Sequence, residues 1–114
     1  MSVIYWHNSR CSKSRAGLEF LAERGAHVTE RRYLDDAPDV AEIRAVLAKL
    51  GLPAIEMMRR GERVFKALGL GRDSAEDALI AAMAAHPILI ERPIAIKGAR
   101  AVIGRPTEAL GALL

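Results

Sequence analysis

The stretch at residues 3–24 constrains this chain most, because a strand, a tight loop and the start of a helix follow one another within it. An apolar run breaks at His7 and Asn8, and an amphipathic segment follows the chain's one cysteine, Cys11. A thiol at a helix N-terminus faces unpaired backbone N–H groups and the positive end of the helix dipole, and both favour the thiolate. We therefore interpret Cys11 as a reactive thiolate beside an anion site.

An inert, buried thiol is the alternative interpretation, since free cysteine often acts as a small hydrophobic residue. Reactive cysteines instead lie in accessible, electropositive surroundings. The neighbours of this cysteine would make a poor core and favour the reactive interpretation; they are Ser9, Arg10, Ser12, Lys13 and Ser14.

The composition is that of an ordinary globular protein, with 114 residues of which 51% are hydrophobic and 27% charged. We expect one domain spanning residues 1–114. One cysteine cannot form an internal disulfide, so any disulfide chemistry needs a second molecule, and a reducing cytosol would suit the chain. We expect a cytoplasmic protein, since no signal peptide and no membrane-spanning stretch are visible.

The net charge of +3 hides basic ends around an acidic middle segment. A basic chain raises the question of nucleic-acid binding. No dense Lys/Arg run with interleaved aromatic residues is present, so we expect no nucleic-acid partner and interpret the basic ends as a local anion site.

The pattern of apolar runs, Gly and Pro predicts a β-α-β unit, a helical insert and a β-β-α unit around a small mixed α/β sheet. Within the insert, Asp39 is expected to cap a helix that ends before Gly51, and Ser74 to cap another with Asp77 in a capping box. The predicted bounds are strand Ser2–Trp6, helix 12–24, parallel strand 28–33, insert about 35–86, helices Val40–Leu50 and 74–85, hairpin strands 93–96 and Arg100–Ile103, and closing helix Thr107–Leu113 with Pro106 at its first position.

This order, with a thiol at the start of the first helix, resembles the thioredoxin fold. That fold has a cis-proline at the start of its third strand, and Pro93 stands at the matching position. Four motifs resemble the glutaredoxin-coupled arsenate reductases, a family that also includes the Spx-type transcription regulators. The motifs are YWHNSRCSKSR at residues 5–15, MRR at 58–60, LGL at 68–70 and HPILIERPI at 86–94.

The resemblance implies that Cys11 is the nucleophile and that Arg59, Arg92 and Arg105 bind the oxyanion. Donors from several parts of a chain suit a tetrahedral anion, and the planar guanidinium suits it better than an ammonium group. Arg60 stays open as an alternative to Arg59, because a slip of one residue would exchange them.

Three further residues are expected to support the site. The Ser14 hydroxyl could bond the thiolate or the bound anion, or Ser14 could be an ordinary polar residue of the first turn. His7 could orient the loop, add charge or make a structural hydrogen bond to the backbone, and Pro93 would face the cysteine.

The activity that the resemblance implies is reduction of arsenate to arsenite through a Cys11 adduct, with glutathione as co-substrate and glutaredoxin as partner. We expect a monomer without bound cofactor or metal, since no His/Cys cluster, P-loop or Rossmann glycine pattern is present. Two alternatives stay open: a glutathione-dependent thiol oxidoreductase of the same family without arsenate turnover, and an Spx-like regulator that binds RNA polymerase.

Overall fold

The structure, a computed structural model, describes residues 2–114, and these fall into two compact units. The first unit combines residues 2–36 with Arg92–Leu114, and the second is the continuous segment Ala37–Glu91. The prediction of one domain stays a prediction.

The first unit is built on a four-stranded sheet in the order β2-β1-β3-β4. β1 pairs in parallel with β2, whereas β1 with β3 and β3 with β4 are antiparallel, so the predicted mixed sheet is confirmed. The second strand begins one residue earlier and ends two residues earlier than predicted, and Tyr33 is buried outside it. The strands are β1 (Ser2–Trp6), β2 (His27–Arg31), β3 (Ile94–Lys97) and β4 (Arg100–Ile103).

Helix α1 (Ser12–Glu23) connects β1 to β2 and ends as predicted at Gly25, whose φ of 77° suits glycine. The face of α1 toward the core includes the small residues Ser14 and Gly17, which are buried, whereas Ala16 is exposed. A Cβ on Gly17 would collide with the Tyr5 hydroxyl, so glycine allows α1 to lie close to the sheet.

The first unit's core lies between the sheet, α1 and a closing 3₁₀ helix over Thr107–Leu113. Pro106 precedes that helix instead of occupying its first position, which corrects the prediction. Burying these side chains away from water holds α1 and the closing helix on one face of the sheet. The buried cluster comprises Val3, Tyr5, Leu21, Ala95, Leu110 and Leu113.

The second unit is helical apart from an isolated bridge between Met58 and Ile90. Asp39 caps α2 in a capping box with Glu42, and Gly51 ends that helix in the left-handed region. The helices are α2 (Val40–Leu50), α3 (Arg63–Ala67) and α4 (Glu76–Ala85), with 3₁₀ helices over Ala54–Met57 and Pro87–Leu89.

The cap predicted for α4 is wrong. The Ser74 hydroxyl accepts a hydrogen bond from the Gly71 N–H at 2.9 Å, so it closes the preceding turn and caps no helix. Helix α4 begins at Glu76, and the Asp77 carboxylate instead accepts a hydrogen bond from the Arg44 guanidinium at 2.6 Å.

No helix among residues 2–114 is long and apolar enough to cross a membrane.

Candidate active site

The loop after β1 lies at the edge of the sheet where the parallel strands β1 and β2 both end. The His7 N–H donates to the Arg31 carbonyl at 2.8 Å and extends the pairing by one residue. The chain then turns back, with the Cys11 N–H donating to the Asn8 carbonyl at 3.0 Å. This turn delivers Cys11 to the N-cap position of α1, as the sequence predicts.

Cys11 is partly exposed, and its thiol forms no regular capping hydrogen bond. Burial on its own raises the pKa of this thiol, but a hydrogen bond from the Arg92 guanidinium, the N–H groups of Ser14 and Lys13, and the positive charge of Arg92 together lower it below the ordinary value. A neutral thiol is a weak acceptor, so these donors bind the sulfur far better once it is ionised. The site therefore favours the nucleophilic form of Cys11.

Arg92 lies next to Cys11 because β3 pairs with β1 and the Arg92–Pro93 peptide bond, which is cis, comes immediately before β3. Burial lowers the pKa of the Arg92 guanidinium, but hydrogen bonding and charge interaction with Cys11, and then with Tyr33, raise it. Arg92 stays charged under all ordinary conditions. The cis-proline predicted by the resemblance is thus present at Pro93.

Arg105 contacts Arg92 through the backbone, since its Nε donates to the Arg92 carbonyl at 2.6 Å. Its side chain is exposed. Cys11, Arg92 and Arg105 thus lie in one neighbourhood of the first unit, and the role of the two arginines in binding an oxyanion stays a prediction.

Arg59 belongs to the second unit, where carboxylates hold its side chain. Its Nε lies 3.1 Å from Glu62 Oε1 and its Nη1 lies 3.4 Å from Glu91 Oε1. Its N–H donates to the Leu89 carbonyl at 2.7 Å, while Arg60 beside it is exposed. Arg59 is thus held by two carboxylates while Arg60 is exposed, and the role of Arg59 in binding an oxyanion stays a prediction.

Ser14 is completely buried, and its hydroxyl points to the loop. Its Oγ accepts from the Asn8 N–H at 3.0 Å and lies 2.8 Å from His7 Nδ1. The Ser14 contribution to the Cys11 pKa comes from its backbone N–H. Ser14 therefore supports the loop that presents the thiol.

His7 is buried and neutral. Burial lowers its pKa, the Arg32 and Arg15 charges lower it further, and Glu30 acts in the opposite direction. Since His7 Nε2 lies 3.9 Å from Glu30 Oε1, the neutral tautomer with a proton on Nε2 lets Nδ1 accept from the Ser14 hydroxyl. The lowered pKa favours a neutral His7 at neutral pH, and the role of His7 in orienting the loop stays a prediction.

Tyr33 was not anticipated as part of the site. Its ring is fully buried and stacks on Trp6 at a centroid distance of 6.4 Å, and its hydroxyl interacts with Arg92. The local sequence gives no signal for this contact, since an aromatic residue at the start of a loop can equally well be exposed on the surface.

No group of three or more His, Cys, Asp or Glu side chains in residues 2–114 could hold a metal ion.

Comparisons with known proteins agree with this geometry. Residues 6–113 match the ArsC family. The arsenate reductase of Neisseria meningitidis serogroup A is 45% identical over 114 residues, covering 98% of this chain and 97% of the relative, and that of Haemophilus influenzae is 41% identical over 110 residues, covering 95% of each. The solved arsenate reductase from Vibrio cholerae covers 100% of this chain and 98% of its own, with 42% identity and a TM-score of 0.96. With its thioredoxin-like fold, the chain belongs to the ArsC family.

Proposed function

We propose that this protein is an arsenate reductase in which Cys11 is the nucleophile and glutathione and glutaredoxin supply the electrons. The observation that carries the proposal is the Cys11 thiol at the N-cap of α1, with its pKa lowered by the Arg92 guanidinium and by two backbone N–H groups. The arsenate reductases among its relatives point to the substrate.

In the first step the Cys11 thiolate attacks arsenic. A sulfur–arsenic bond forms, the arsenic–oxygen bond to one hydroxyl group of arsenate breaks as that hydroxyl takes up a proton and leaves as water, and arsenic remains pentavalent. The guanidinium groups of Arg92 and Arg105, together with Arg59 by resemblance, would hold the remaining oxygens. A loop fixed by buried hydrogen bonds keeps the sulfur in place for this attack.

In the second step glutathione attacks the Cys11 sulfur. The sulfur–arsenic bond breaks and its electron pair goes to arsenic, which leaves as trivalent arsenite, while Cys11 and glutathione form a mixed disulfide. Each sulfur loses one electron and arsenic gains two. Glutaredoxin then exchanges its own thiol with the mixed disulfide and returns Cys11 to the reduced state.

The proposal is tested by measuring arsenite formed from arsenate in the presence of glutathione and glutaredoxin. Turnover should vanish in Cys11→Ser, because a serine hydroxyl is not ionised at neutral pH and cannot form the disulfide. Arg24→Ala is the matched control, since Arg24 is an exposed arginine at the far end of α1, about 20 Å along the helix from Cys11.

Two results would refute the assignment, and each points to a different alternative. If Cys11 is alkylated rapidly at neutral pH but arsenate is not reduced, the protein is a glutathione-dependent thiol oxidoreductase with another substrate. If it neither reduces arsenate nor exchanges thiols with glutathione but binds RNA polymerase, it is an Spx-like regulator.

A further inference from the structure

A cavity of about 320 Å³ lies beside the loop that carries Cys11. Its walls come from the loop after β1 and the loop after β2, so it opens at the carboxyl edge of the parallel strand pair, where α/β proteins usually bind ligands. Its volume lies at the lower end of the roughly 300–1,000 Å³ range of small-molecule sites. The lining residues are His7, Asn8, Ser9, Arg10, Arg32, Leu34 and Asp35.

The loop forming one wall is fixed in shape. The Arg10 N–H donates to Asn8 Oδ1 at 3.0 Å, and Arg15 Nη1 donates to the Ser9 carbonyl at 2.9 Å. In the other wall, the Asp35 N–H donates to the Arg32 carbonyl at 3.0 Å. These bonds leave the side chains of Arg10, Arg32 and Asp35 exposed around the cavity.

The charges around the cavity have a definite pattern. Within residues 2–114, no ion pair joins Arg10, Arg32 or Asp35 to another side chain, whereas the neighbouring Arg31 is paired with Asp36 at 3.4 Å. Two cations and one carboxylate therefore face solvent around a partly exposed apolar side chain, that of Leu34. Such a set complements a ligand that carries two carboxylates and one ammonium group.

We propose that this cavity is the subsite for glutathione, with Arg10 and Arg32 binding its two carboxylates and Asp35 its ammonium group. Glutathione is a tripeptide with that charge pattern and a central thiol. The lining loop runs directly into Cys11, so a ligand seated here lies against the same loop that presents the thiol of the second step above. The inference rests on the proposed function, and it names the place where the electron donor binds.

The cavity does not suit arsenate itself. The Asp35 carboxylate would repel a bare, multiply charged oxyanion, and the volume exceeds what such a small ion needs. A glutaredoxin surface that binds the same arginines is the alternative occupant, and the experiments below separate that partner from the tripeptide.

The first experiment measures binding of S-methylglutathione, whose blocked sulfur can form no disulfide, by calorimetry and by amide NMR shifts. Binding should saturate and shift the amides of Ser9, Arg32 and Asp35. Arg10→Ala and Arg32→Ala should each weaken it roughly fivefold, as expected for an exposed charge pair, and more salt should weaken it too. Arg24→Ala, an equal loss of charge elsewhere in the same unit, should leave it unchanged.

A second comparison assigns the carboxylate. Asp35→Asn should weaken binding of S-methylglutathione but leave binding of its N-acetyl derivative unchanged, because that derivative has no ammonium group. All four substituted side chains are exposed, so thermal unfolding should match wild type and exclude misfolding as the cause.

The outcomes separate this inference from the proposed function. If S-methylglutathione binds as described while arsenate is not reduced, the subsite stands and the proposed substrate fails. If arsenate is reduced but Arg10→Ala and Arg32→Ala leave both the binding and the KM for glutathione unchanged, the subsite is refuted. It is also refuted if these variants raise only the KM for glutaredoxin, which would make the cavity part of a protein-binding surface.

Discussion

Replacing Arg92 tests the central physical argument, because this one guanidinium interacts with the Cys11 thiol and with the buried Tyr33. In the folded protein the Arg92 guanidinium interacts with Cys11 through a hydrogen bond and through its charge, and both lower the pKa of Cys11. Arg92→Ala should therefore raise that pKa toward the ordinary value of 9.0. At neutral pH a smaller fraction of Cys11 would be thiolate, and the thiol would react more slowly.

The magnitude follows from the kind of interaction lost. A hydrogen bond to a charged group contributes about 1.5–3 kcal/mol, and the lower value applies here because both side chains are partly exposed. This corresponds to about a tenfold slower alkylation at neutral pH. For arsenate, the contact with the oxyanion is lost as well, so kcat/KM should fall by about a hundredfold.

The assay is the rate of alkylation of Cys11 by iodoacetamide as a function of pH, for wild type, Arg92→Ala, Arg92→Lys and the control Arg24→Ala. The curve for Arg92→Ala should move to higher pH. Arg92→Lys should recover much of the alkylation rate because it keeps the charge, but little of the arsenate turnover because it lacks the planar fork. If Arg92→Ala titrates like wild type, Arg92 does not activate the thiol and the reasoning fails.

Four further predictions concern single positions. Gly104→Ala should lower the free energy of unfolding by about 1–3 kcal/mol in a urea titration, because its Cβ would lie 2.8 Å from a proline ring carbon. Asp39→Ala should cost about 1 kcal/mol in the same assay through loss of the α2 cap, with m unchanged. Arg59→Ala should raise the KM for arsenate while Arg60→Ala should not; equal effects would contradict the assignment. Folding lowers the pKa of His7, so the unfolded state binds a proton more readily than the folded state. The free energy of unfolding should therefore decrease as the pH falls below the ordinary pKa of 6.5. His7→Gln should flatten this dependence in thermal melts recorded at several pH values.

Local signals in the sequence predicted much of this structure. The Cys11 position, the Asp39 cap and the Gly51 stop are each encoded within a few residues, and each was found as expected. The Ser74 cap failed for a physical reason: a serine hydroxyl can close a turn as readily as it caps a helix, and here it bonds Gly71.

Features that depend on distant parts of the chain were harder to predict. The burial of Ser14, its bond to His7 and the contact of Tyr33 with Arg92 all need the sheet to be assembled first. The resemblance supplied Arg92 and Pro93, which no periodicity could indicate. The sequence does not indicate the cavity beside the Cys11 loop, since nothing local distinguishes Arg32 from an ordinary solvent-exposed charge.

The discontinuous first unit has a consequence for how the chain acquires its chemistry during synthesis. Ile4 pairs with Ile96, so nearly the whole chain separates these partners, and closing so long a loop is slow compared with forming the local contacts of α2 and α4. The continuous segment Ala37–Glu91 can thus order before the sheet is complete. A nascent chain that has not yet released β3 from the ribosome lacks Arg92 beside Cys11. Its thiol is therefore less acidic, and the cysteine gains its full reactivity only when the last fifth of the sequence has folded.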